Sequence, residues 1–114
     1  MIAGAQIILY VEDMERSRRF YEEIIGLILT SSPSPYWMTF DCGGTSLALH
    51  PQDSVDEFRN TTAIALFTSE LEKSRSIFNG RGANFGEIVE PHPGVEFCLT
   101  QDPDGTMIFL KPSL

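Results

Sequence analysis

The residues able to do chemistry in this chain are few and scattered. There are two histidines, His50 and His92, two cysteines, Cys42 and Cys98, and one tryptophan, Trp37. Cysteines with no CxxC spacing make neither a zinc ribbon nor a disulfide framework, so both are expected as reduced, largely buried thiols. No Ser-His-Asp set and no glycine-rich phosphate loop is present. What remains is recognition chemistry. Aromatic surfaces (Tyr10, Trp37, Phe67, Phe109) and a handful of polar anchors (Gln6, His50, Glu96, Lys111) suit a planar or aromatic ligand, neutral or cationic, held by stacking and one or two hydrogen bonds.

Positioning these residues requires strands, and the strands come in two sets. Asp13-Met-Glu-Arg-Ser-Arg-Arg-Phe-Tyr21 lies over Glu70-Leu-Glu-Lys-Ser-Arg-Ser-Ile-Phe78, and Thr39 to Pro51 lies over Thr100 to Pro112, with Thr, Asp, Gly, Thr, Leu and Pro identical. The chain therefore reads as one domain, 1–114, built from two modules at about 1–52 and 60–114 that join near Gln52 to Asn60. Each begins with an alternating strand, Gln6 to Val11 and Ala63 to Thr68. A helix follows, presenting Ser17, Phe20, Tyr21, Ile24 and Ile25 in one copy and Leu71, Ser74, Ile77 and Phe78 in the other, closed by Gly26 and Gly80. Three strands complete each module: Leu27 to Thr30, Tyr36 to Phe40 and Thr45 to His50, then Asn84 to Val89, Glu96 to Thr100 and Thr106 to Lys111. Pro33-Ser-Pro35 is read as the break between the first two, and Glu90 to Gly94 as a proline-rich loop carrying an exposed His92.

Strand parity divides the side chains. Ile7, Leu9 and Val11 suit packing under the helix, while Gln6, Ile8 and Tyr10 face the other way, and the same division sets Ser46, Ala48 and His50 apart from Leu47 and Leu49. A turn at Cys42-Gly43 is expected to bring Trp37 across from Ala48, and its counterpart to put Glu96 beside Lys111.

The length of 114 residues, with 42% hydrophobic residues, excludes disorder as the main description. The longest strongly apolar run, Ile24 to Thr30, is far short of the roughly 20 residues of a membrane span. No basic start precedes an apolar core at the N-terminus, so no secretory signal and a cytoplasmic location are expected. Sixteen acidic residues against eight basic ones give a net charge of −8, which disfavours nucleic acid and anionic membrane as partners.

The strand followed by Val11-Glu-Asp13, the helix with Ser17 and Phe20-Tyr21, Gly26-Leu27 and the closing Asp102-Pro-Asp-Gly-Thr-Met-Ile-Phe-Leu110 resemble the vicinal oxygen chelate superfamily. Its members include glyoxalase I, bleomycin resistance proteins and extradiol dioxygenases. The resemblance implies an α+β fold of two tandem β-α-β-β-β modules, each sheet curling into half a barrel with its helix outside, and a homodimer. It also implies where metal-dependent members place their ligands: here Gln6, Ala48, Ala63 and Phe109. Three of these have no lone pair to offer a cation, so no metal and no other cofactor is expected. Gly94-Val-Glu-Phe97 followed by Asp102-Pro103 resembles the bleomycin-resistance branch, which implies sequestration of a small molecule without catalytic residues, as in antibiotic resistance. The rival reading is a metal-dependent glyoxalase I-type lyase or isomerase, or a dioxygenase, with non-standard ligands. The expected ligand-binding set is Gln6, Tyr10, Trp37, His50, Phe67, Glu96 and Phe109.

Overall fold

The computed structural model describes residues 6–52 and 63–112. The joint between the modules and the N-terminal Met1 to Ala5 lie outside these residues. The chain divides into two compact units, Met1–Asn60 and Thr61–Leu114, each with a four-stranded mixed sheet and one helical segment.

In the first unit β1 (Gln6–Val11) runs parallel to β4 (Thr45–Pro51), and β4, β3 (Trp37–Cys42) and β2 (Ile28–Ser34) are antiparallel neighbours, giving the order β1-β4-β3-β2. Leu9, Val11, Phe40, Leu47 and Leu49 are buried on one face of this sheet. The helical segment between β1 and β2 supplies the other half of that core. Asp13 caps its start by accepting a hydrogen bond from the Arg16 N–H at 3.0 Å, three residues on. It runs as α1 (Met14–Arg18) and then widens to π geometry over Arg19–Ile24, with the Ile25 N–H reaching the Phe20 carbonyl at 2.9 Å. The wider turn keeps Phe20, Tyr21 and Ile25 buried together, and Tyr21 leans on Phe40 with ring centroids 6.4 Å apart. Gly26, with φ at 85°, then ends the segment, as the sequence predicts.

The second unit repeats the order: β5 (Ile64–Thr68), α2 (Leu71–Gly80), β6 (Val89–His92), β7 (Val95–Gln101) and β8 (Met107–Pro112), arranged β5-β8-β7-β6 with β5 and β8 parallel. Its core contains Ile64, Leu71, Ala83, Phe85, Cys98, Ile108 and Leu110. Thr68 holds the start of α2, its hydroxyl accepting from the Glu70 N–H and sharing a 2.6 Å hydrogen bond with Ser74.

Several boundaries differ from those the sequence predicts. Strand β2 runs on through Pro33, and the residues predicted as a proline loop form β6 through Pro91. Both are edge strands with irregular pairing, where a missing N–H costs no ladder bond. The predicted strand at Asn84 to Val89 is absent before Val89. The backbone there is held by the helix instead: Asn79 accepts from the Phe85 N–H at 2.8 Å and donates to its carbonyl at 3.1 Å, and Arg75 donates to the Gly86 carbonyl at 2.6 Å. The left-handed residue after α2 is Gly82 (φ 110°), while Gly80 is still helical, and Ile77 stays 43% exposed rather than joining the buried face.

Candidate functional site

On the face of the first sheet away from α1, three rings stand on one rung. Strand β1 sets Tyr10 beside His50 of β4, and β3 brings Trp37 to the other side of that histidine. The ring centroids are 5.4 Å apart for Tyr10 and His50 and 6.2 Å apart for Trp37 and His50, both edge to face. Edge-to-face contacts match the positive rim of one ring to the negative face of the next, which fixes ring orientation. Tyr10 and its neighbour Ile8 keep 45% and 44% exposure, so the face presents apolar surface.

Four residues along β1, about 13 Å away at strand spacing, Gln6 donates its side-chain N–H to the Ser46 hydroxyl at 2.9 Å. Its carbonyl oxygen thereby points its lone pairs elsewhere. Between the aromatic and amide rungs lie Ile8, Ala48 and Thr39, and the Thr39 hydroxyl is bonded to that of Thr30 at 2.9 Å. Four of the expected residues, Gln6, Tyr10, Trp37 and His50, thus share one sheet face. The expected pairing of Trp37 with Ala48 is corrected by two residues: the turn is Gly43-Gly44, both with positive φ, joining Cys42 to Thr45, so Ala48 pairs with Thr39 and Trp37 meets His50. A shift of two preserves parity, and Trp37 keeps its face.

His50 is fixed by its neighbour. Its Nδ1 lies 2.7 Å from the Pro51 carbonyl oxygen. A carbonyl only accepts, so Nδ1 carries the proton and Nε2 of the neutral ring holds a lone pair.

In the second sheet the face away from α2 carries Phe67, 62% exposed, with Phe109 and Lys111. Here the expectation for Glu96 is wrong. Cys98 pairs with Leu110 and Leu99 with Phe109, so Glu96 shares parity with buried Cys98 and Thr100, on the side of the core, and does not stand beside Lys111. Phe97 takes the open side instead, edge to face with Phe109 at 5.3 Å. The cause is the turn. Gln101 pairs with Met107, leaving five residues in the loop where the first unit has two, and an odd change in loop length inverts one strand's faces. Asp102 builds that loop: buried, it accepts from the N–H groups of Asp104 and Thr106 at 2.9 and 2.8 Å, and Gly105 supplies a φ of 84°. Sequence reading missed Phe97; the replacement of Cys42-Gly43 by Pro103-Asp104 in the second turn was the available signal. A shallow cleft of about 420 Å³ opens at this end of the unit, lined by Asn84, Leu99, Thr100, Gln101, Asp102 and Met107.

Of the positions at which the resemblance implies metal ligands, Ala48, Ala63 and Phe109 offer no donor atom. Among the described residues no three His, Cys, Asp or Glu side chains are placed to share an ion. The donor set does not fit a divalent metal site. His92 ends β6. Both thiols are pushed up from the ordinary range, Cys42 by burial and then by the adjacent Asp41 carboxylate, and Cys98 by burial against a smaller opposing effect of Arg75. On the outer helix Arg18 bonds Glu15 and holds that carboxyl below its usual range.

A family model described as Glyoxalase/Bleomycin resistance protein/Dioxygenase superfamily matches residues 5–110. No curated protein matches the chain in sequence. Among solved structures, the chain is similar to a lactoylglutathione lyase from Agrobacterium tumefaciens, at 16% identity and a TM-score of 0.78, with 99% of this chain and 95% of that one covered. A superfamily member from Sphaerobacter thermophilus aligns at 20% identity and a TM-score of 0.79, covering 99% and 98%. A glyoxalase/bleomycin resistance protein/dioxygenase from Alicyclobacillus acidocaldarius aligns at 17% identity and a TM-score of 0.78, covering 97% and 91%. At these identities the likeness is one of fold.

Proposed function

The chain belongs to the glyoxalase/bleomycin resistance protein/dioxygenase superfamily, and from that premise we propose that it binds a small planar or aromatic molecule without a metal, as a sequestering protein would. The observation that carries this reading is the edge-to-face rung of Tyr10, His50 and Trp37 on a sheet face that stays partly open. Such a rung offers a flat ligand an oriented aromatic wall, and Gln6 and Ser46 offer polar contacts about 13 Å along the strands. Phe67, Phe97 and Phe109 form a second aromatic face on the other sheet.

The rival, a metal-dependent lyase, isomerase or dioxygenase, would need at least three donors in the implied set. Gln6 alone has lone pairs there, so no step through a metal is derived. The partly open apolar faces also favour a homodimer, and no helix among the described residues is long and apolar enough to cross a membrane.

The direct experiment is a titration of the purified protein with aromatic compounds, followed through the fluorescence of Trp37, the only tryptophan. A saturable change with a stacked ligand is expected. Binders that leave Trp37 fluorescence untouched would move the site away from this rung.

A further inference from the structure

The bond from His50 to Pro51 decides which polarity of ligand the aromatic rung accepts. With the proton held on Nδ1 by a 2.7 Å hydrogen bond to a backbone carbonyl, the neutral ring presents Nε2 purely as an acceptor. The carbonyl belongs to the next residue in the chain, so the constraint is local and persists whatever occupies the face. Every buried side-chain nitrogen or oxygen among the described residues has a partner. Among the described residues Nε2 has none, so these residues do not fully enclose it. The edge-to-face contacts with Tyr10 and Trp37 restrain the ring against turning over to offer its other nitrogen.

Resting on the binding reading above, we propose that His50 is the specificity-determining residue of the site and selects planar ligands carrying a hydrogen-bond donor, an aromatic hydroxyl or a ring N–H. An acceptor-only ligand of the same shape, lying over the rung and shutting water out, would face the Nε2 lone pair with one of its own and leave both unpaired, a loss larger than the mean worth of one hydrogen bond. Discrimination of about tenfold or more is expected from that asymmetry.

Two measurements test this on the full chain. The first is the nitrogen-15 spectrum of the His50 ring in the free protein at alkaline pH. A protonated Nδ1 with a bare Nε2 is expected, and the opposite tautomer overturns the proposal while leaving the binding reading standing. The second is calorimetric titration with 2-naphthol and 2-methoxynaphthalene, which share a ring system but differ in the donor, against the wild type and His50→Phe. The wild type should bind 2-naphthol at least about tenfold more tightly, and His50→Phe, which keeps an aromatic ring on the rung, should bind the two alike. Equal binding by the wild type, or a preference that survives in His50→Phe, refutes the selection by His50. If neither compound binds, the reading of the rung as an aromatic site falls, and this proposal with it.

Discussion

Phe97 meets Phe109 edge to face across β7 and β8, with ring centroids 5.3 Å apart, so the two rings share the sheet face turned away from α2. A pair of this geometry couples by about 0.5–1.5 kcal/mol beyond the area it buries. A double-mutant cycle of Phe97→Ala and Phe109→Ala in urea should return coupling in that range. Additive single effects would place the rings apart and reject the register of β7 on β8 described above.

Replacing Trp37 by Ala should weaken the binding of an aromatic ligand by roughly fivefold or more, because a stacked contact is worth on the order of 1 kcal/mol. The side chain is half-buried on an open face rather than in the core, so thermal unfolding should shift little. Unchanged affinity alongside an unchanged fold would show that the ligand sits elsewhere.

After dialysis, elemental analysis should find no stoichiometric Zn, Ni, Fe or Mn, since Ala48, Ala63 and Phe109 offer a cation nothing to bind. One tightly held ion per chain, with Gln6 or His50 within bonding distance, would defeat the metal-free reading.

The thiols give a pH signature. Burial disfavours both thiolates, so the folded chain holds these protons more tightly than the unfolded one. Below the ordinary thiol range both states are protonated and stability is unaffected. As pH rises through that range the unfolded chain ionises first, and stability falls. Denaturant unfolding of the wild type should therefore lose more stability between neutral and alkaline pH than the double variant Cys42→Ala, Cys98→Ala. At neutral pH, iodoacetamide should modify buried Cys98 only on unfolding and half-buried Cys42 slowly. Rapid labelling of Cys98 in the folded protein would contradict its burial.

Sedimentation should show a dimer, because Ile8, Tyr10 and Phe67 leave apolar surface on both sheets that a second copy would cover. A monomer at every accessible concentration removes the pairing and leaves the fold of each unit as described.

Much of the architecture is legible in the residues. The alternation in Gln6 to Val11 and Ala63 to Thr68, the Asp13 cap and the repeated Thr-Asp-Gly-Thr segments lead to two β-α-β-β-β units, and the structure has both. What sequence parity could not supply was the length of each turn. The pairs Cys42 with Thr45 and Gln101 with Met107 are settled by which residues leave the ladder, and Asp102 leaves it because its carboxylate satisfies two loop N–H groups that no strand reaches. Glu96 was misplaced for that reason. Prolines mislead in the opposite direction: Pro33 and Pro91 read as breaks, yet an outermost strand tolerates them. The lock on His50 was invisible, because it depends on where a ring nitrogen meets the following carbonyl.

The unequal turns also bear on how a duplicated gene diversifies. A module copied in tandem starts with two identical linings, and point substitutions alter them one side chain at a time. Substitutions in a turn that change the number of residues leaving the ladder by an odd number exchange the whole outward row of one strand for its inward row, as Thr39 outward and Thr100 inward show. The hydrophobic core must then be refilled by new residues, which Cys98 and Thr100 do here. A change of that kind gives the second copy a surface with no counterpart in the first, so the likeness between the halves is better traced through turns and caps than through the residues that meet a ligand.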